Sequence, residues 1–428
     1  MIIGIDASRA NRKHKTGTEW YAFYLIKELA KLDASNQYIL YSEQPISNDL
    51  NDLTDNPSGG PISYDQDGFQ VIKSPHGNFK AKVLDWPVRH LWTHLRLSWE
   101  MIWHRPDVLF VPSHVLPLIH PRRSVVTIHD VGFERDKSLY PKLDLGPNSK
   151  LQKRILNVLV RLFTFGRFGA NVQDYLTWST LFSLRKAEKI ITVSEFSKQE
   201  IFEVYKDELT PAVLGKIIAI HNGYNQECYR PVTNHDKVTA TLEKYDIEPP
   251  YIFYLGRLER KKNTPALVEA FGMISKQFPE YKLVLTGRAS FGYDEVEFMI
   301  SQYKLDHKVI CTGWVDEADL PYIYGGADIF AFPSHYEGFG IPLVEAMACG
   351  VPVAASDVAP ITEVVDGAAI LFNPESPASI KDALVKLISD KELRNRLSAL
   401  GLARAKQFGW KITAEKTLAV LDPNFKLS

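Results

Sequence analysis

The sequence predicts an α/β protein built from two doubly wound domains. Short apolar runs alternate with helix-patterned segments along most of the 428 residues. Several of the runs lack polar alternation, as parallel strands covered on both faces do. Two such series of similar size stand on either side of a polar break, which implies two βαβ sheets in place of one. A length of 428 residues is also long for one ordinary domain.

Taken in order, the first series has candidate strands at 2–6, 38–41, 107–111, 125–129, 189–193 and 216–220. The second has them at 251–255, 282–286, 309–312, 328–332, 352–356 and 369–372. Helical patterns fall at 18–32, 265–277, 342–349 and 377–407, and a last one at 412–421 follows Phe408-Gly409-Trp410. The break follows HNGYNQECYRPVTNHDK, which holds Gly223 and Pro231, and Pro249-Pro250 precede the next strand. These signals place a first domain at 1–230 and a hinge at 231–248. A second domain follows at 249–410, then a helix at 411–428 that returns toward the first. Two segments interrupt the pattern. Residues 46–69 are rich in Asn, Asp, Gly and Pro and read as a mobile surface loop. Residues 141–173 form an insertion in the first domain, longer than a standard βα connection.

Composition narrows the function. Hydrophobic residues make up 45% and charged residues 24%, the mix of a globular protein able to bury a large core. Lys and Arg total 50 against 51 Asp and Glu, so the net charge of -1 argues against a nucleic-acid binder working by bulk charge. Cys228, Cys311 and Cys349 are widely spaced, match no metal-ligand spacing and suit a reducing cytoplasm. MIIGIDASRA reads as a strand and not as a signal peptide, and no stretch is apolar enough to span a bilayer. The expectation is a cytoplasmic protein, with peripheral contact at the inner face of a membrane left open.

The chemistry concentrates in DIFAFPSHYEGFGIPLVEAMACGVPVAAS, residues 328–356. A buried strand runs into the turn EGFG and then a helix, with Pro342 in the first helical turn and Gly350 at its stop. Such a turn presents backbone N–H groups at a helix N-terminus, where the dipole favours anions. Gly338 and Gly340 permit close approach of a ligand to the backbone. Glu337 stands before the turn and Glu345 lies in the helix. One carboxylate can reach hydroxyls beyond the phosphates, and the other can accept hydrogen bonds from a ribose diol.

At these residues the sequence resembles the retaining GT-B glycosyltransferases with a glycogen-synthase-like donor domain, of the family 4, mannosyltransferase-like kind. The resemblance implies two Rossmann-like domains facing a central cleft, the second holding a nucleotide-sugar donor and the first an acceptor. It extends to YLGRLERKKNTPALVEAF (254–271), where it implies that Arg257 and Lys262 hold the diphosphate beside Gly256. Choosing Lys262 over Lys261 rests on the family spacing. It extends also to SVVTIHDVGFERD (124–136), where His129 is implied to contact the donor sugar and Asp130 to serve orientation or the acceptor. The loop leading to Gly17-Thr18 resembles one near the donor phosphates, and IITVSEFSKQEI places Ser194 as a helix cap near the acceptor. Gly287, Trp314 and Val315 are implied to line the base pocket. With Gly338, Phe339, Gly340, Ile341, Leu343 and Glu345 they complete the implied donor site.

The implied reaction moves a hexosyl group, mannose favoured, to a glycan or lipid-linked acceptor in surface-polysaccharide or glycoconjugate synthesis. The run VTIHDVGFERD with PSHVLP (112–117) resembles bacterial mannosyltransferases, which puts GDP-mannose first and a UDP-hexose second. No cofactor and no essential metal is implied. A nucleotide-sugar epimerase on the same fold and an inactive partner subunit stay open as alternatives. Asp65-Gln66-Asp67 imitates a metal-binding Asp-x-Asp, but it lies in a polar, turn-rich loop and reads as chance. No G-x-G-x-x-G follows a strand, and no G-x-S-x-G or H-E-x-x-H occurs.

Two surface questions remain open from the sequence. Trp86, Trp92, Trp99 and Trp103, interleaved with Arg89, His90, His94 and Arg96, read first as helices with tryptophan on a buried face. The second reading is an acceptor or membrane-interface surface. KLQKRILNVLVRLFTFGRF (150–168) carries Lys150, Lys153, Arg154, Arg161 and Arg167 and no acid, with apolar residues at helical steps. It suits either packing or an anionic membrane.

Overall fold

The computed structural model describes residues 1–54, 61–87, 91–141, 143–144, 150–163 and 166–427. The chain divides into two units. The first comprises Met1–Arg135, Lys142–Gly223 and Trp410–Ser428, and the second Asp136–Pro141 and Tyr224–Gly409.

In the first unit the strands are β1 (Ile2–Asp6), β2 (Gln37–Ser42), β3 (Gln70–Val71), β4 (Phe79–Val83), β5 (Val108–Val111), β6 (Ser124–Ile128), β7 (Lys189–Thr192) and β8 (Ile217–Ala219). Among the described residues they form one sheet in the order β3-β4-β2-β1-β5-β6-β7-β8. Every neighbouring pair is parallel except β3 with β4. Strands β5 and β6 are buried along their whole length, which is why they read as unbroken apolar runs. β4 escaped that reading. Its FKAKV alternates buried Phe79 and Ala81 with half-buried lysines, the pattern of a strand near a sheet edge.

In the second unit the strands are β9 (Tyr251–Leu255), β10 (Lys282–Thr286), β11 (Val309–Gly313), β12 (Ile329–Phe332), β13 (Val353–Ser356) and β14 (Ala369–Phe372). They form an all-parallel sheet in the order β11-β10-β9-β12-β13-β14. Helix Thr264–Ile274 packs Leu267, Val268, Phe271 and Ile274 into the core under this sheet. Each such side chain contributes roughly 1.5–3 kcal/mol when fully buried.

Three expectations on organisation are corrected. Residues 231–248, expected as a hinge, carry helix His235–Lys244, which belongs to the second unit. The Asn234 side chain caps it, accepting from the Lys237 N–H, and the helix packs against helix Leu320–Gly326. The division falls earlier, between Gly223 and Tyr224. The single helix expected at 377–407 is two, Pro377–Ser389 and Lys391–Ala405, because Asp390 leaves helical geometry and caps the second through the Leu393 N–H. The loop expected over 46–69 carries a short helix, Asn48–Asn51, and buries Ile46, Leu50 and Leu53; residues 55–60 lie outside the described residues.

The tryptophan segment also departs from the first reading. Trp92 is buried and donates its Nε1–H to the Leu84 carbonyl at 2.9 Å. Trp99 and Trp103 are instead 60% and 67% exposed. Arg89 and His90 lie outside the described residues. In the insertion, Lys150–Phe163 is a helix whose Lys153, Arg154 and Arg161 line a cavity of about 430 Å³ together with Asp144, Asn157 and Asn171.

Helix Trp410–Leu421 is part of the first unit. Trp410 stacks on Tyr24 at 5.6 Å, and the Thr413 hydroxyl donates to the His221 carbonyl at 2.8 Å. Just beyond its end, Asp422 accepts from the Asn36 amide at 3.1 Å, and that amide also donates to Asp33 at 2.8 Å. Tyr38 donates to the same Asp33 oxygen at 2.6 Å. Burial pushes the Asp33 carboxyl up, but the bonds from Tyr38, Asn36 and the 35 and 36 backbone outweigh it and hold it below its ordinary value.

Asp33→Ala is therefore expected to destabilise the first unit by about 1–3 kcal/mol, the scale for orphaning buried donors. The measurement is the urea midpoint followed by fluorescence. The unfolded carboxyl titrates near 3.9, and the folded one lies lower. The contribution is thus present above the unfolded value and disappears as pH falls through the folded one. The gap between wild type and variant should close in acid.

Candidate active site

The second sheet fixes where a ligand can be reached. From β9 the chain winds outward through β10 to β11, then crosses back to place β12 on the other side of β9. The connections after β9 and β12 therefore leave in opposite directions and open a crevice at the carboxyl ends of these two strands. The loop after β9 holds Gly256, Arg257 and Lys262; the loop after β12 holds Glu337, Gly338, Phe339 and Gly340.

An ion pair joins the two loops. Lys262 Nζ lies 2.5 Å from Glu337 Oε1, and the Ser334 hydroxyl donates to the same oxygen at 2.8 Å. The His335 N–H donates to the Lys261 carbonyl at 3.0 Å, a second tie between them. Lys261 is buried, and Lys262 is the lysine that reaches Glu337. Arg257 is 58% exposed and touches Glu259 at 3.2 Å, which leaves most of its five N–H donors uncommitted.

Two glycines shape the strand ends. Gly287, after β10, has φ +141, and a Cβ there would lie 1.9 Å from the Gly256 carbonyl oxygen. That approach aligns the loops after β9 and β10, with the Gly256 N–H donating to the Thr286 carbonyl. Gly340 adopts φ +96 and caps helix Ile341–Ala348, turning the chain from the crevice into the helix. Of the other expected donor-site residues, Phe339, Leu343 and Val315 are buried. Phe339 meets Phe408 edge-on at 5.5 Å. Leu343 lies beside Gly340 inside the turn, while Ile341 keeps partial exposure.

Glu345 sits one turn inside that helix and keeps part of its surface open. Tyr324 donates to Glu345 Oε2 at 3.2 Å. Burial pushes the Glu345 carboxyl up to about 8, with the charge of Glu317 adding to it and hydrogen bonds from Tyr324 and Tyr229 opposing it. Protonated, such a group donates through one oxygen and still accepts through the other; ionised, it accepts through both.

The remaining expected residues lie in the first unit. His129 follows β6; its Nε2 contacts the Pro112 carbonyl oxygen at 3.2 Å and its ring meets Tyr21 edge-on at 4.8 Å. Burial, the largest influence, keeps the imidazole below its ordinary value, so it is neutral at pH 7. Asp130 accepts from the Gly132 N–H at 3.1 Å. Gly17 is exposed at the start of helix Gly17–Leu32, where Thr16 and Glu19 form a capping box. Ser194 is fully buried and caps helix Glu195–Tyr205 by accepting from the Ser197 N–H. The cap that the sequence pointed to is thus present.

Other polar groups gather at the same end of the first sheet. Asp6 ends β1 and is pushed up by burial, with Ser8 and Arg9 opposing. His114 follows β5 and is pushed down to about 4 by burial and by Arg9. Arg9 pairs with Glu19 at 3.4 Å. β1 and β5 flank the point where this sheet reverses its winding, so these groups stand where an open α/β sheet binds ligands. The signal was available: both residues sit at the carboxyl ends of strands legible in the sequence.

Comparison with known proteins agrees with this geometry. The structure aligns with sucrose-phosphate synthase (tll1590) from Thermosynechococcus elongatus at a TM-score of 0.68 and 18% identity, covering 98% of each chain. It aligns with WaaG, a glycosyltransferase involved in lipopolysaccharide biosynthesis, at a TM-score of 0.67 and 13% identity, over 98% of this chain and 99% of that one. The fold is thus that of GT-B proteins, two parallel-sheet Rossmann-like domains. A family profile described as "Glycosyl transferases group 1" matches residues 240–402. The O-antigen chain mannosyltransferase B of Escherichia coli is 30% identical over 309 residues, which span 70% of this chain and 77% of that protein. The chain belongs to the group 1 glycosyltransferases and is a glycosyltransferase.

The Glu345 environment makes a pH-dependent prediction. The unfolded chain releases this proton near pH about 4.3, the folded chain near 8. Between those values the folded state holds a proton that the unfolded state has lost, so wild-type stability falls as pH rises. Glu345→Gln removes that penalty. Its thermal midpoint relative to wild type should rise from pH 5 to pH 9, and a pH-independent difference would contradict the raised value.

Proposed function

We propose that this glycosyltransferase moves a mannosyl group from GDP-mannose to a glycan or lipid-linked acceptor, with retention of anomeric configuration, in assembling a surface polysaccharide. A UDP-hexose is the second donor in order of preference. The observation that carries the reading is the Lys262–Glu337 pair at the sheet's reversal point, in a chain 30% identical to an O-antigen chain mannosyltransferase.

In this reading the second unit binds the donor. Arg257 and Lys262 contact the diphosphate: Lys262 has three N–H donors and spends one on Glu337, so two remain for phosphate oxygens. The backbone of Gly338–Gly340 adds N–H donors at a helix start. Glu337, held by Ser334 and Lys262, receives hydroxyls of the sugar, and Glu345 accepts from the ribose diol. In the first unit, neutral His129 contacts the sugar, and Asp6, Arg9 and His114 face the acceptor.

The bond from the anomeric carbon to the diphosphate oxygen breaks, and its electron pair leaves with that oxygen. The acceptor hydroxyl oxygen forms the new bond on the same face. Its proton passes to a donor phosphate oxygen, so no protein base is required. Fixed cations stabilise the charge as it builds on the leaving group. The same cations take the place of a metal, and Asp65 is engaged in its own turn, accepting from the 67 and 69 backbone N–H groups.

A thermal-shift screen of GDP, UDP and their sugars tests the donor, since a ligand raises the midpoint only of the state that binds it. Mass spectrometry and the product's anomeric NMR signal test transfer and retention. Arg257→Ala and Lys262→Ala should each lower kcat/KM about a hundredfold or more, the exposed Arg257 with stability unchanged and Lys262 with some loss of stability, since Glu337 is left unpaired. Near-normal turnover in both removes the diphosphate role.

Metal removal is a separate check. Transfer should persist in excess chelator, because the diphosphate charge is met by side chains. Activity abolished by chelator and restored by manganese would overturn the metal-free reading.

A further inference from the structure

Arg260, Lys261 and Lys262 form a single 3-10 turn in the loop after β9. Neighbouring side chains leave such a turn about 120° apart, so the three cations reach three different places. Arg260 pairs with Glu295 of helix Tyr293–Gln302 and lies 5.1 Å from the centre of the Phe291 ring. Lys262 meets Glu337. Lys261 turns inward. It is buried, and its ammonium lies 5.3 Å from the centre of the Tyr140 ring and 5.6 Å from that of Tyr336. A lysine is seldom buried unless some partner replaces the water it gives up. The faces of the two rings serve here, since each presents negative charge to a cation within about 6 Å.

The two rings come from different segments. Tyr336 directly precedes Glu337 in the loop after β12. Tyr140 lies in Asp136–Pro141, which belongs to the second unit although the residues before and after it belong to the first. The turn Lys137–Leu139, opened by Asp136 accepting from the Ser138 N–H at 2.8 Å, leads into Tyr140. Lys261 and Tyr336 thus stand next in the chain to the two halves of the Lys262–Glu337 pair, and the His335 N–H donates to the Lys261 carbonyl at 3.0 Å. Both lysines tie the same two loops, one through a carboxylate and one through a ring.

We propose that Lys261 is a positioning residue for the donor diphosphate, with Tyr140 and Tyr336 as its clamp. The proposal rests on the reading that Lys262 contacts the diphosphate. A lysine and a glutamate on separate loops have many rotamers in which to miss each other, and ordering them costs entropy. Fixing the backbone beside both removes that freedom before a ligand arrives, so less is lost on binding. Aromatic faces do this without bringing a carboxylate of their own toward a site meant for an anion. Tyr140 thereby makes segment 136–141 a part of the donor site.

Calorimetric titration of the whole chain with GDP, and with UDP in parallel, tests it. Lys261→Met keeps the side chain's length and removes its charge. The Kd of the nucleotide that the wild type binds should rise about tenfold, the scale of two lost cation–π contacts. Lys261→Arg should restore it. Tyr140→Leu should raise Kd about threefold, and Tyr140→Phe should not. A merely structural role would lower the thermal midpoint and the fitted stoichiometry but leave the Kd of the folded fraction unchanged. Added to Lys262→Ala, Lys261→Met should have no further effect on Kd, because it acts through the lysine already removed. Wild-type Kd in Lys261→Met beside weakened binding in Lys262→Ala overturns the proposal and leaves the diphosphate reading standing. A full second loss in the double variant overturns it too, since Lys261 then acts independently of Lys262, as does a Lys261→Arg variant no better than Lys261→Met. An unchanged Kd in Tyr140→Leu removes Tyr140 from the clamp. Wild-type affinity in Lys262→Ala, or no binding of either nucleotide by the wild type, removes the diphosphate reading and the proposal with it.

Discussion

Parallel strand pairing is the constraint from which the rest of this structure follows. Two parallel neighbours cannot be joined by a tight turn, so each connection must cross over one face of the sheet, most compactly as a helix. Helices then cover both faces, and the strands become continuous apolar runs such as VLFV in β5 and IFAF in β12. Every strand but β3 also ends on the same side of its sheet. Where winding reverses, between β9 and β12 and between β1 and β5, two connections part and leave backbone and side chains facing open space. The polar groups of the candidate site lie at those ends because no other part of a sheet covered on both faces is free to hold them.

The same constraint explains what was legible in the sequence. All six strands of the second sheet were readable, with bounds shifted by a residue at most; β12 and β13, buried along their whole length, leave the clearest apolar signature, and the edge strands β11 and β14 are only partly buried. β3 and β4 were not: β3 is only two residues long, and β4, near the edge, alternates lysine with apolar residues and resembles surface. The helix at His235–Lys244 was hidden for a related reason. Its sequence is polar, with only Thr241 and Leu242 buried, and the cap at Asn234 is a local signal easily read as part of a linker.

At the site, residue identity was legible and environment was not. Glycines, cations and carboxylates at fixed spacing announced the turn between β12 and its helix and the lysine and glutamate that meet there. Nothing in the local string showed that Tyr324, Tyr229 and Glu317 would gather around Glu345, because they come from positions 21, 116 and 28 residues away in the chain. Nor could helical periodicity tell which side of the tryptophan helix faces the sheet. Trp92 and Trp99 are two turns apart, yet one is buried and the other exposed, because a π-helical turn between them rotates the face. Asp6 and His114 went unnoticed because each is a single polar residue following a strand, the commonest place for one.

The Lys262–Glu337 pair shows why such a site costs stability and is still tolerable. Both side chains are largely withdrawn from water, and a pair so placed gives up hydration that its mutual attraction only partly returns. Two apolar residues of the same size would hold the loops at least as well. What they could not do is exchange partners. Under the proposed function, the lysine would turn protons toward an entering diphosphate without leaving the carboxylate, and the carboxylate would accept sugar hydroxyls while still held by the lysine. The pair thus keeps each charge oriented before the ligand arrives, so that binding need not reorganise the turn. Removing one partner leaves the other buried and unmatched. The damage from a single substitution is therefore larger than the worth of the contact, and a cation lost here leaves the carboxylate unmatched as well.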